Sequence, residues 1–184
     1  MTRLGASKKL KLVRVSNMRG YIHHIEWSVR NLDEIRDYLI RSYGFTKFAR
    51  RIDPEIRQEA VRCGACVFLL SEKSSVNKTV SNSSNEYPVY KTETQHDTVF
   101  NVCMEVDSVE ETTEMAAEIG AVILEKPKKI EDEFGEVVVS SVRSCLGNVI
   151  HSIVNTKSYT GAFLPGFQDV IEAYQEKTWK GEKI

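Results

Sequence analysis

Long apolar runs are missing from this 184-residue sequence. Nothing approaches the roughly 18 consecutive apolar residues of a bilayer-spanning helix, so no membrane partner is expected. Neither is a secretory signal, since the short apolar core that such a signal carries is missing too. Cysteine is scarce, with four residues in all, too few for a disulfide scaffold. Walker-type glycine loops and nucleophile elbows do not occur, which leaves phosphoryl transfer and serine hydrolysis without support. Acid is absent from residues 1–20, which hold Arg3, Lys8, Lys9, Lys11, Arg14 and Arg19.

That last absence gives meaning to a net charge of -1. The first 20 residues carry +6, and the remainder sets 19 basic against 26 acidic side chains, a net of -7. A basic, acid-free stretch with Ser7, Ser16 and scattered Leu and Val has the composition of an organelle transit peptide; a disordered basic arm is the equal alternative. Localisation is therefore open between mitochondrial and cytoplasmic. The stretch has no aromatic residue for base stacking and the body behind it is acidic, so no nucleic-acid partner is expected.

What is present is a globular composition, 41% hydrophobic and 28% charged, organised by an internal repeat. His24-Ile25-Glu26-Trp27-Ser28-Val29 alternates as a half-buried strand, and 77 positions later Asn101-Val102-Cys103-Met104-Glu105-Val106 alternates in the same phase. Each strand runs into a helix start. Asn31 and Ser108 stand at N-cap positions with Glu34 and Glu111 three residues on. Leu32, Ile35, Leu39 and Ser42 follow at helical spacing in one copy, and Val109, Thr112, Ala116 and Ile119 in the other. Gly44 and Gly120 stand where left-handed C-caps belong. Later strands are expected at 45–50, 57–62 and 66–71 around the Cys63-Gly64-Ala65 turn, then at 121–124, 137–142 and 149–154 around Gly147-Asn148. The pattern is βαβββ, twice: an α+β fold with module 21–72, a Ser- and Asn-rich connector 73–95 and module 96–157. Residues 168–184 read as a short amphipathic tail, with Trp179 a candidate partner contact.

Two such modules resemble the vicinal-oxygen-chelate (glyoxalase and extradiol dioxygenase) superfamily, whose paired modules form a cup-shaped barrel around a divalent metal. Tyr159-Thr160-Gly161-Ala162-Phe163-Leu164-Pro165-Gly166-Phe167 resembles the segment closing the N-terminal half of 4-hydroxyphenylpyruvate dioxygenases and their dioxygenase-like relatives. Tyr43-Gly44-Phe45, Val67-Phe68-Leu69-Leu70-Ser71 and Asp132-Glu133-Phe134-Gly135 fall in the same register. The resemblance covers residues 21–167. It implies an iron(II) family that oxidatively decarboxylates a 4-hydroxyphenyl 2-oxo acid in aromatic amino-acid metabolism, with the iron triad in the C-terminal half. No histidine follows His151 here, so this chain is expected to be non-catalytic and to hold no cofactor of its own.

By the superfamily's pattern the metal slots hold His24, Asn101 and His151. Two imidazoles and a neutral amide leave a divalent charge poorly neutralised. The expectation is therefore hydrogen-bonded residues lining a cup without metal, the alternative being a glyoxalase-type metalloenzyme or a small oxo acid binding module around His24 and His151. Self-association, or a C-terminal catalytic half, are the expected partners. Strand parity points His23 away from the cup. His96 beside Asp97 reads as solvated, and Cys63 with Cys66 as a hairpin pair without a second pair to complete a zinc site.

Overall fold

The computed structural model describes residues 20–52, 56–73, 88 and 96–170. The basic first 19 residues, nearly all of the connector and the tail beyond residue 170, with Trp179, lie outside the described residues.

The chain runs β1 (Tyr21–Val29), α1 (Leu32–Tyr43), β2 (Thr46–Ile52), β3 (Ile56–Cys63), β4 (Cys66–Lys73), β5 (Thr98–Glu105), α2 (Val109–Glu118), β6 (Ile123–Asp132), β7 (Gly135–Arg143), β8 (Ile150–Asn155) and β9 (Gln168–Asp169). The strands form one sheet in the order β6-β7-β8-β5-β1-β4-β3-β2-β9. β1 pairs in parallel with β4 and β5 with β8, while β1 and β5 meet antiparallel at the centre.

The repeat of 77 residues is visible in that central register. Ile25 opposes Val102, its own equivalent, so the pseudo-twofold passes between them. Glu26 opposite Asn101 is then the image of His24 opposite Cys103. The two irregularities are images as well: the register skips His23 on β1 and Phe100 on β5.

Local chemistry sets the helix ends. Asn31 Oδ1 accepts from the Glu34 amide at 3.2 Å while its Nδ2 donates to Glu34 Oε2 at 3.2 Å. Ser108 Oγ accepts from the Glu111 amide at 3.2 Å. Both satisfy an amide that the first helical turn leaves orphaned. Gly44 at φ 71° ends α1 in the left-handed region, where a Cβ is disfavoured. The stripe of α2 departs from the expected spacing. Thr113, four residues after Val109, faces inward and shares a 2.6 Å hydrogen bond with Ser140, whereas Ile119 is the C-cap residue and exposed.

Both helices lie on one side of the sheet. α1 covers Val29, Phe45, Val61 and Leu70 with Leu32 and Leu39; α2 covers Val106, Val142 and Ile153 with Val109. Burying each such side chain is worth roughly 1.5–3 kcal/mol. The opposite face carries Ala49, Ala60, Leu69, Cys103, Ile130, Val137, Val139 and Val154, and its cover is the chain's own return path. After β8, Tyr159 bridges Gly135 at the start of β7, and Gln168–Asp169 pairs with β2 at the far edge. Between those anchors the strap crosses the helix-free face and buries Phe163, Leu164 and Phe167 in it.

Candidate functional site

The centre of the helix-free face is polar beneath the strap. Glu26, 1% exposed, accepts from Ser71 Oγ at 2.7 Å and Gln58 Nε2 at 3.0 Å on one oxygen, and from Asn101 Nδ2 at 3.1 Å on the other. Gln58 also donates to Ser71 Oγ at 2.8 Å. Burial raises the Glu26 pKa; the hydroxyl and two amides, together with the nearby Arg51 guanidinium, pull it back down. Arg51 is itself buried and lies over the Phe167 ring at 5.1 Å. Three donors converging on the carboxylate meet its hydrogen-bonding capacity with the protein's own groups.

Asn101 is equally committed. Its Oδ1 accepts from the Ser152 amide at 3.1 Å and from Ser152 Oγ at 2.9 Å, so the amide ties β5 to β8 and, through Glu26, to β1. Metal coordination by that oxygen would release two buried donors.

His151 is on the other side of the sheet. Its β5 partner is Val102, whereas Asn101 and Cys103 flank Val102 and face the strap. On β7 it opposes Val142, which packs in the α2 core. The image of Val102 is Ile25, whose β4 partner Phe68 is thus the image of His151. Phe68 packs against Trp27 at 5.0 Å and Phe45 at 5.1 Å in the core under α1. His24 and His151 therefore cannot share a ligand, and the candidate set of His24, Asn101 and His151 cannot hold one divalent metal.

His23 corrects a second expectation. Simple alternation turns it away from His24, but the bulge places consecutive side chains together. His23 Nδ1 lies 2.8 Å from His24 Nδ1, and their rings sit 5.4 Å and 5.2 Å from Phe163. Burial lowers the His23 pKa to about 4 and takes His24 well below its ordinary value, His23 adding to the latter. Both imidazoles are neutral at pH 7. Cys103, opposite His24, completes a compact group: His23, His24 and Cys103 offer ligand atoms that all lie within 4.8 Å of one another.

Elsewhere, His96 is exposed, and its neighbour Asp97 accepts from the Arg30 amide at 2.9 Å. Cys63 and Cys66 oppose each other across the β3–β4 turn, exposed and unbridged. Glu26 is the central residue that pattern reading passes over. Its signal was an acid in an otherwise half-buried strand, two residues from His24 and in the same phase.

This geometry and the known relatives agree on a class. The chain is an α+β protein of the vicinal-oxygen-chelate fold. A variant of 4-hydroxymandelate synthase from Streptomyces coelicolor matches with a TM-score of 0.63 and 18% identity over 84% of this chain and 43% of that one. A methylmalonyl-CoA epimerase variant from the same organism matches at 0.52 and 15% identity over 74% of this chain and 97% of its own. By sequence the homologues are 4-hydroxyphenylpyruvate dioxygenases and dioxygenase-like proteins. The dioxygenase of Aspergillus fumigatus is 32% identical over 84% of this chain and 40% of its own length. The dioxygenase-like protein of Rattus norvegicus is 28% identical over 79% of this chain and 37% of its own. The chain thus spans about 40% of the length of the curated relatives it matches. A family model described as MCMDC2, N-terminal domain, matches residues 75–157. That stretch holds β5 to β8 without β1 to β4 and leaves half of the sheet unaccounted for, so the longer dioxygenase match carries more weight.

Proposed function

We propose that this chain is a non-catalytic supporting cup of a 4-hydroxyphenylpyruvate dioxygenase-like protein. The observation that carries the reading is the strap: Phe163, Leu164 and Phe167 occupy the face on which an oxo acid and its metal would have to sit. The committed hydrogen bonds of Glu26 and Asn101 and the outward placement of His151 support it. In this reading the iron, which would supply oxygen activation and decarboxylation of the 2-oxo acid, belongs outside this cup. The cup contributes a rigid body for self-association or for docking a catalytic half.

Thermal unfolding with and without millimolar 4-hydroxyphenylpyruvate tests this, because a ligand that binds only the native state must raise its stability. No shift is expected. A concentration-dependent rise in the transition temperature would instead establish a ligand-binding cup and overturn the supporting role.

A further inference from the structure

We propose that His23 Nδ1, His24 Nδ1 and Cys103 Sγ form a site for a zinc-like divalent cation that clamps the two modules across their pseudo-twofold axis. The inference stands apart from the supporting role, since a structural ion and a filled cup are compatible.

The three donors come from both central strands. His23 and His24 are on β1 and Cys103 on β5, with His24 and Cys103 direct register partners. One ring nitrogen of each histidine and Cys103 Sγ all lie within 4.8 Å of one another, and separately the two Nδ1 atoms are 2.8 Å apart. A tetrahedral zinc with bonds of about 2.0–2.3 Å sets its donors about 3.3–3.6 Å apart, so side-chain shifts of roughly 1 Å complete the geometry. Two imidazoles and a thiolate are a borderline-to-soft set that suits zinc better than calcium or magnesium.

The surroundings also fit a metal site. The outer nitrogen of His23, Nε2, lies 4.0 Å from Glu105 Oε2. That carboxylate is fixed by the Thr156 amide and Thr156 Oγ1, each at 2.9 Å. A ligating histidine whose second nitrogen faces a carboxylate is the usual outer arrangement of such sites. The protons balance. Of the two Nδ1 atoms that now share one proton, the donor moves to its Nε2–H tautomer, and the Cys103 thiol gives one proton to solvent on coordination. Phe163 closes the site on the strap side. This donor set differs from the superfamily's slots, sharing only His24 with them. The exposed Cys63 and Cys66 pair has no third donor grouped with it among the described residues.

The test uses the full chain, stripped with chelator and titrated with cobalt(II), then with competing zinc. The expected result is one cobalt per chain with a near-ultraviolet thiolate-to-metal absorption, displaced by zinc. Cys103→Ala should abolish the absorption and weaken binding at least about 100-fold, more than the loss of an outer partner. His23→Gln, at the partly exposed bulge, gives a second reading should Cys103→Ala fail to fold. A Cys63→Ser, Cys66→Ser double variant should bind as the parent does. Absence of the thiolate absorption, or its loss in the double variant with retention in Cys103→Ala, would overturn the proposal.

Discussion

The two modules share a backbone plan and fill it with opposite chemistry. On the strap side the first module gathers Gln58 and Ser71 around the Glu26 carboxylate. The images of these positions, through the shared registers, are Cys103, Val139 and Val154, all in the apolar core. The exchange runs the other way too: Ala60, Leu69 and His24 have Ser141, Ser152 and Asn101 as images. Around the helices the contrast repeats. Asp33 and Arg36 of α1 join Arg57 and Glu59 of β3 in a charged cluster, with Arg57 to Asp33 contacts of 2.7 Å and 2.8 Å and Arg36 to Glu59 at 3.1 Å. α2 meets β7 through the uncharged Thr113–Ser140 bond. The backbone repeat therefore specifies where side chains can meet, while each module's own residues decide whether that place is polar or dry.

Removing the cover shared by both modules should have the largest effect. Leu164→Ala deletes a fully buried side chain from the strap and is expected to cost about 2–5 kcal/mol in urea unfolding. Next comes the polar centre of the first module. Glu26→Gln turns an amide donor toward Ser71, Gln58 or Asn101, all of which now donate, and should cost about 1–3 kcal/mol. The image substitution Cys103→Ala, measured in chelator, should cost only about 1 kcal/mol. Equal losses would break the contrast between the modules. Asn31→Ala and Ser108→Ala should each cost about 1 kcal/mol, the former more because Asn31 also donates to Glu34.

The smallest effect concerns pH. Arg57 foremost, with Arg36, holds the Asp33 carboxyl well below its usual range. A depressed folded-state value gives stability that is present above the unfolded value of 3.8 and is lost as pH falls below it. Asp33→Asn should therefore destabilise at pH 7 by at most about 1 kcal/mol, since the group is exposed and screened. The difference should shrink as pH falls below 3.8 and vanish only once the pH is below the depressed folded-state value. A loss that persists in acid would mean that Asp33 acts through the helix end rather than through its charge.

Much of the fold was legible because it is written in local signals: alternation at His24 and Asn101, caps at Asn31 and Ser108, and glycine at positive φ after each helix. The site was not, for two physical reasons. Parity arguments assume an unbroken strand, and the bulge at His23 reverses the inference from that point. The face of His151 depends on its register with β5 and β7, which pairs residues about fifty and nine positions apart and leaves no trace in spacing alone. Glu26 offered a parity signal, but its partners Gln58, Ser71 and Asn101 come from three other strands. Residues 159–167 resemble a closing segment by sequence; that they fill the cup follows from the Tyr159–Gly135 bridge, the pairing of Gln168–Asp169 with β2 and the burial of Phe163, Leu164 and Phe167 between them.

Oxygen uptake by the purified chain, supplied with iron(II) and 4-hydroxyphenylpyruvate, tests the central claim most directly. A face filled by its own strap predicts a rate equal to that of iron and substrate without protein. Uptake above that background that disappears in His24→Ala would contradict the account and place catalysis in this cup.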